Sequence, residues 1–335
     1  MSDTVKLPIP FGWFSIGYSD ELKVGEVKPI EYFGRQLVLF RTESGEAKLL
    51  DAYCPHLGAH LGHGGKVRGD SIACPFHGWE FNGSGQCTAV PYAKNMPPKV
   101  AGGKQAIQPH PICERNAVIY AWYHPNGAAP TFELTHIPEC EDSEWHLAER
   151  REWVVKTPIQ EIAENAVDAA HFVTVHRATE VPSPDKIVFD NHTRTATYES
   201  KVPKVLPDGT LDPAGGTTMQ YLTTVGEGPS VAVQYFKGAV NSVLLGSSTP
   251  IDDEHSVIRF AFFEPKAMNA GERMFADYAK LELCRQVEAD MPIWDHKRYL
   301  PQPMLCDGDG PIHQYRKWFS QFYEFDKAPV KIAAG

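Results

Sequence analysis

The sequence predicts an α+β protein, a small all-β unit followed by a larger domain in which a curved antiparallel sheet grips a long helix. Three observations predict it. Short runs rich in branched and aromatic residues, broken by glycine turns, fill the stretch from Arg35 to Tyr123. Segments of alternating polarity then recur between residues 187 and 263. A helical pattern follows from Ala270 to about Trp294.

Taken in order, residues 1 to about 35 read as an extended arm in which Pro8, Pro10 and Gly12 lead to an aromatic, Trp13. LVLFR at 37–41 and AKLLDAY at 47–53 read as strands turned by Ser44-Gly45. SIACPF and WEFNGSGQC follow, with Asn82-Gly83 and Ser84-Gly85 as a hairpin signal. AVIYAWY at 117–123 is a further strand, stopped by Pro125 and Gly127. A link rich in Pro, Glu and Asp over 127–143 separates an N-terminal domain, residues 1–140, from a C-terminal domain, residues 141–335. The second domain opens with the strand REWVV. A helix is predicted from Pro158, a residue favoured at a first helical position, through QEIAENAVDAAHF. The segments IVFD, TRTATYESKV, TTMQYLTTV, SVAVQYF, AVNSVLLG and VIRFAFF supply the large sheet. PKVLPDGTLDPAGG, 203–216, is long and poor in bulky apolar residues, which suits either a lid over a pocket or a solvated connection.

Composition bounds the function. The 335 residues are 42% hydrophobic and 22% charged, enough for two domains with sizeable cores. A formal charge of −10 argues against nucleic acid or an anionic membrane as partner, because either one needs a basic face. No apolar run approaches the ~18 residues of a membrane span, and the start lacks a basic end followed by an apolar core. A cytoplasmic protein is expected. Of seven cysteines, Cys87, Cys113, Cys140, Cys284 and Cys306 are widely scattered and read as reduced thiols.

The other two belong to CPHLGAHLGHGGKVRGDSIACPFHGW, from Cys54 to Trp79, around which the first domain is organised. Cys54 and His56 are separated by one residue, Cys74 and His77 by two, with 17 residues between the pairs. Two thiolates and two imidazoles on paired loops can bind a [2Fe–2S] cluster, thiolates on one iron and histidines on the other. A structural zinc site usually presents its cysteines first and its histidines later. Here each pair mixes sulfur and nitrogen, which favours the cluster. His60 and His63 read as loop-packing or surface residues, since the donor set is complete without them.

A second group of donors lies in ENAVDAAHFVTVH, Glu164 to His176. Asp168 and His171 are three apart and would share a helix face, with Asn165 one turn earlier. His176, five beyond His171, is no clean helical neighbour. For both imidazoles to reach one metal the helix must bulge, or end and turn back. Two histidines and a carboxylate leave open positions on an iron for oxygen. The carboxylate must come from elsewhere in the chain.

C-P-H-L-G with C-P-F-H-G-W resembles the cluster motif of the Rieske non-haem iron oxygenases, and the resemblance extends over nearly the whole chain. Respiratory Rieske proteins carry a further cysteine in each loop, where this chain has Ala59 and Phe76. The absence of that disulfide implies a potential near the low end of the Rieske range, suited to electrons from NAD(P)H. The resemblance implies a terminal oxygenase (alpha) component, with a Rieske domain followed by a helix-grip, START-like catalytic domain. In QVEADMPIWDHK the family pattern makes Asp290 the third iron ligand beside His171 and His176, with Glu288 and Asp295 as rivals. It places Asn165 near the iron. Asp168 resembles the carboxylate that joins a cluster histidine, His77, of one subunit to His171 of the next. A head-to-tail homotrimer follows from that resemblance.

The chain has no G-x-G-x-x-G after a strand, so NAD(P)H would act only through a separate reductase, with or without a ferredoxin. The branch resembled most is the oxygenase of 3-ketosteroid 9α-hydroxylase, through CPFHGWEFNGSGQCTAVPYAK, N-x2-D-x2-H-x4-H and D-x2-I-W-x2-K. This implies O2-dependent hydroxylation of a steroid or another rigid, largely apolar ring system. The alternative is hydroxylation, dioxygenation or O/N-demethylation of a smaller aromatic compound, which a cationic residue in the pocket would favour. A non-enzymatic alternative is a Rieske electron carrier or lipid-binding module with a vestigial iron site. Phe172, Val175, Tyr221 and Phe236 are candidates for the pocket lining, each equally suited to sheet core.

Overall fold

Strands form where branched and aromatic residues run between turn glycines. In the computed structural model, which describes residues 6–184 and 186–324, the first part of the chain holds β1 (Gly12–Tyr18), β2 (Val27–Tyr32), β3 (Arg35–Arg41), β4 (Ala47–Asp51), β5 (Lys66–Arg68) and β6 (Ser71–Ala73). There follow β7 (Glu80–Asn82), β8 (Cys87–Ala89), β9 (Pro109–His110), β10 (Ile112–Arg115) and β11 (Val118–Tyr123). They make three small sheets, ordered β1-β11-β10, β2-β3-β4-β9 and β5-β6-β7-β8. The stretch read as an extended arm therefore contains two strands, β1 and β2. Together these elements build one compact unit, Trp13–Glu133. Cys54 and Cys74 are part of its core, packed with Phe40, Leu61, Ile72 and Phe81.

The other unit comprises the described residues from Leu134 onward together with those up to Gly12. Its sheet is formed by β12 (Trp145–Val155), β13 (Lys186–Asp190), β14 (Thr193–Pro203), β15 (Thr217–Glu227), β16 (Val231–Gly238), β17 (Ser242–Pro250) and β18 (Ser256–Pro265). The strands are antiparallel in the order β12-β18-β17-β16-β15-β14-β13, so sequential hairpins close on the first strand. The helices are α1 (Ile159–Glu164), α2 (His171–Thr174), α3 (Ala270–Trp294) and α4 (Ile312–Phe319). α3 starts at an Asn269 N-cap whose side chain accepts from Glu272 N while Glu272 returns a bond to Asn269 N. It buries Cys284, Val287, Asp290 and Trp294 at three- and four-residue spacing, and Cys284, Val287 and Trp294 of this stripe pack with Val155, Ile258 and Phe262 of the sheet. Among the described residues no helix is long and apolar enough to cross a membrane.

One expectation changes. The helix read from Pro158 through Phe172 ends at Glu164, and residues 165–170 turn before the single turn of α2. The sequence there lacks bulky periodic residues between Val167 and Phe172, and Asp168 competes locally for backbone donors. The 203–216 segment folds on itself through a bridge between Val205 and Leu211. It packs on the start of α3, where a Cβ on Gly271 would meet Leu206 O at 2.2 Å. None of its residues lines the cavity described below.

Candidate metal centres

The two cluster loops close alike. Gly58 N donates to Cys54 O at 2.9 Å and Gly78 N to Cys74 O at 3.0 Å, both glycines at positive φ, +76° and +72°. Each cysteine N then bonds across the loop, Cys54 to Ala59 O and Cys74 to Trp79 O, both 2.8 Å. The turn glycine is four residues after cysteine in both loops, whereas the histidine is second in one and third in the other. Both cysteines are buried and both histidines half-buried, so the sulfur end of the set lies inward. The rings of His56 and His77 are 4.7 Å apart, and His56 stacks on Trp79 at 4.6 Å. Burial, with Cys74 beside it, pushes the Cys54 thiol up to about 11. His77 Nδ1 is buried without a hydrogen-bond partner. A pair of buried thiols and an orphaned imidazole nitrogen fit a cationic cluster, which ionises the thiols and takes the nitrogen as ligand. His60 accepts from Gly62 N at 3.0 Å and packs against Tyr53 and His63, a loop-packing position.

The second set gathers on α2, just after it and on α3. Donor atoms of His171, His176 and Asp290 all lie within 4.8 Å of one another. His176 Nε2 is 3.5 Å from Asp290 Oδ1, and Asn165 Nδ2 donates to Oδ2 at 3.0 Å. The break after α1 is what brings Asn165 and the two histidines together. Glu288 and Asp295, the other carboxylates of this helix end, are exposed and outside the set. Asp168 Oδ2 is 3.6 Å from His171 Nδ1, reached from a turn rather than from a helix face. Nδ1 of His171 and of His176 are both buried without hydrogen bonds. Burial pushes the Asp290 carboxyl up to about 6. Burial works to lower the His171 pKa too, but the Asp168 carboxylate outweighs it and holds the imidazole above its ordinary value. A buried carboxylate between two half-satisfied imidazoles fits a divalent iron.

Below about pH 6 the Asp290 carboxyl carries a proton that a metal must displace, and His171, held above its ordinary value beside Asp168, keeps its own to higher pH. Fe(II) affinity of the metal-free protein is expected to fall about tenfold per pH unit where His171 alone is protonated, and up to about a hundredfold per unit below about pH 6. Anaerobic Fe(II) titration at several pH values checks this; a flat profile would contradict it.

Between α3 and the sheet lies a half-open cavity of about 240 Å³, lined by His171, His176, Asp290 and Asn165. Its floor is a row across four strands. Gly226, Ala232, Gly246 and Phe260 are successive register partners, so three strands present almost no side chain there. Of the pocket candidates, Phe172 lines the cavity. Phe236 is on the cavity-facing side of β16 but packs beside Leu244, Phe262 and Cys284. Val175 is half-buried outside the lining. Tyr221 is on the opposite face of β15, in a surface depression with Thr223, Tyr235 and Lys237. Side chains alternate along a strand, and its neighbour Leu222 has the parity that faces α3.

Sequence reasoning did not single out Arg194, which lines the cavity and is 3% exposed. One signal was available. In TRTATYES the inward parity reads Arg194, Ala196, Tyr198, and a charge on the inward side of an alternating strand is rarely neutral in meaning.

Fold and donor sets together define a class, proteins that pair a Rieske [2Fe–2S] cluster with a mononuclear iron centre of the kind that handles O2. The profile of the Rieske [2Fe-2S] domain matches residues 12–106, and that of the 3-ketosteroid 9alpha-hydroxylase C-terminal domain matches residues 121–323. The chain belongs to the Rieske oxygenases that carry this C-terminal domain. It is 34% identical to the oxygenase component of 3-ketosteroid-9-alpha-monooxygenase from Rhodococcus rhodochrous, over 93% of this chain and 83% of that protein. It is 32% identical to a cholesterol 7-desaturase of Xenopus laevis, over 94% of this chain and 72% of that one. The crystal structure of dicamba monooxygenase bound to dicamba has the same fold, with a TM-score of 0.70 at 17% identity, covering 95% of this chain and 98% of that one. The chain is thus an oxidoreductase of the class acting on paired donors with incorporation of molecular oxygen.

Proposed function

We propose that this chain is the terminal oxygenase of a multicomponent monooxygenase that hydroxylates a steroid or a similarly rigid, apolar ring system. The observation that carries it is the cavity itself. Phe172, Ile258, Phe260, Leu283, Val287 and Trp294 give it apolar walls immediately beside His171, His176 and Asp290. The two sequence relatives named above carry 3-ketosteroid and cholesterol in their names, and this reading extends that substrate class to the chain; Arg194 in the lining is the cationic residue that supports a smaller aromatic acid as the second reading. A substrate C–H bond, O2, two electrons and two protons yield an alcohol and water. The electrons come from NAD(P)H through a separate reductase. When bound, the [2Fe–2S] cluster supplies electrons one at a time and the mononuclear iron activates O2.

Cys54, His56, Cys74 and His77 would hold the cluster; His171, His176 and Asp290 would hold the iron. Asn165 keeps one oxygen of Asp290 occupied and so fixes the carboxylate's orientation. Asp168, whose carboxylate lies 3.6 Å from His171 Nδ1, would orient that ring by closing the remaining distance and, in a head-to-tail homotrimer, would also receive His77 of a neighbouring copy. The apolar walls exclude water and hold the ring substrate still. A vestigial second site fits poorly with three donors still converging within 4.8 Å.

The test begins with anaerobically prepared protein, where about three irons and two sulfides per chain are expected together with a Rieske-type EPR signal after reduction. Turnover is then measured with a reductase and a panel of 3-ketosteroids and sterols. Asp168→Asn is expected to retain iron and sulfide but lose about ten- to a hundredfold in coupled turnover. Unchanged turnover would remove Asp168 from the electron route. NAD(P)H oxidation with hydroxylated aromatic acids and no steroid product would overturn the substrate class.

A further inference from the structure

Among the described residues, three other deeply placed cations of the catalytic unit have carboxylate partners. Arg259 faces Glu152 at 2.8 Å, Lys280 faces Glu264 at 2.8 Å and Arg316 faces Glu164 at 2.7 Å. Arg194, buried as deeply, has none among the described residues. Its hydrogen bond runs from Nη1 to Ala166 O at 3.4 Å, a long contact that uses one of five donors. The charged neighbours it lacks are replaced by phenols, Tyr198 and Tyr315, which burial keeps neutral. An unpaired guanidinium out of water is among the costlier things a fold can hold.

The side chain is directed into the cavity. Arg194 is the register partner of Gly226 and begins the row that continues through Ala232 and Gly246. A Cβ on Gly226 would be 3.6 Å from Arg194 Nε and 3.8 Å from Nη2, so the guanidinium extends over β15 along the bare floor. Ala166, its backbone contact, follows Asn165, whose amide holds Asp290. The cation and the metal donors therefore line one cavity, joined by two consecutive residues.

We propose that Arg194 is the substrate anchor of this cavity, and that the ring compound proposed above carries a carboxylate which pairs with it. The inference rests on the oxygenase reading and narrows it. An anion neutralises the guanidinium where a ketone only accepts from it, and the planar fork matches the two oxygens of a carboxylate. The apolar walls take the ring body, and the acid end sets which carbon faces the iron donors. The carboxylate can belong to a steroid acid or to a smaller aromatic acid.

Binding is measured without O2 on the iron-loaded protein, through the fluorescence of Trp294 and Trp318, both in the lining. The probes are a 3-ketosteroid bearing a ring-D carboxylic acid, a naphthoic acid, and the methyl ester of each. In at least one pair the acid is expected to bind about tenfold or more tighter than its ester. Arg194→Gln weakens that acid about a hundredfold and its ester by less than about threefold, and Arg194→Lys falls between, with iron and sulfide content unchanged. The pair that shows the preference identifies the ring system. Esters that bind as well as both acids, neither acid binding, or equal loss of acid and ester in Arg194→Gln would overturn the anchor. Equal loss is the signature of a residue that merely ties down the 165–170 turn. If Arg194→Gln does not fold, the wild-type acid and ester comparison decides alone. An acid that binds through Arg194 but is never hydroxylated would leave the anchor standing and sink the proposed reaction.

Discussion

Asp290→Ala is expected to lower turnover by about a thousandfold or more while leaving the Rieske EPR signal intact. The carboxylate is buried, sits 3.5 Å from His176 Nε2 and is oriented by Asn165. Its removal leaves two imidazoles, too few to retain a divalent iron against dilution. Iron per chain should drop by about one, with sulfide unchanged. Asp290→Glu tests reach, because the longer side chain presses into the Asn165 contact. Glu288→Ala and Asp295→Ala serve as comparisons on the same helix end. Both side chains are exposed, and both variants should retain iron and turnover. Retained turnover in Asp290→Ala would refute the ligand assignment, and loss in Glu288→Ala would redirect it.

Arg316→Ala should cost about 3–5 kcal/mol of stability. Its guanidinium grips Glu164 through two bonds, Nε to Oε2 at 2.7 Å and Nη2 to Oε1 at 2.8 Å, and donates to Leu300 O at 2.7 Å. Glu164 is 6% exposed, so truncation of the arginine strands a buried carboxylate. The pair ties α4 to the last residue of α1, directly before Asn165. Loosening it should therefore also accelerate iron loss, although neither residue is a metal donor. Chemical denaturation of wild type, Arg316→Ala and the double variant Glu164→Leu/Arg316→Leu separates the causes. The double variant should recover most of the loss, because no buried charge is left unpaired. A single variant within about 0.5 kcal/mol of wild type would show that water reaches the carboxylate.

Much of this was legible in the sequence because it is written in spacing. Cys54-Pro-His56 and Cys74-Pro-Phe-His77 carry their donors within tight turns, so local geometry brings each pair together. The alternating segments of the sheet are long enough for period two to stand out, and the helix from Ala270 to Trp294 is bounded by the sequence itself. Asp290 could be picked from its rivals only by resemblance; burial on the stripe of Val287 and Trp294 is what separates it from Glu288 and Asp295. The spacing of His171 and His176 asks for a bulge or stop between them, and the predicted helix runs unbroken through 165–170; the earlier break is not legible because nothing in AVDAA forbids a helix outright. From sequence Tyr221 suits either pocket lining or sheet core, and its place on the opposite face of β15 is instructive. In TTMQYLTTV three bulky residues, Met219, Tyr221 and Val225, share one parity, whereas the parity facing α3 carries Leu222 but narrows to Thr224 and then Gly226 where the cavity lies. A cavity needs room, and a search for bulky residues finds the opposite side. Arg194 escaped for a different reason: the inward parity of TRTATYES carries it, but that it lacks a carboxylate partner shows only in the folded chain.

The bare row of Gly226, Ala232 and Gly246 has a consequence for selectivity. Walls made of side chains can change rotamer to admit a new shape, but beyond the Arg194 guanidinium over Gly226 this floor is hydrogen-bonded backbone shared among β15, β16 and β17. Such a surface behaves as a mould rather than a clasp. Flat, stiff molecules conform to it without loss of their own freedom, whereas flexible chains of equal volume surrender entropy to lie along it. Discrimination between rigid and floppy substrates is thus built into the ladder of the sheet, independently of any polar group the substrate carries.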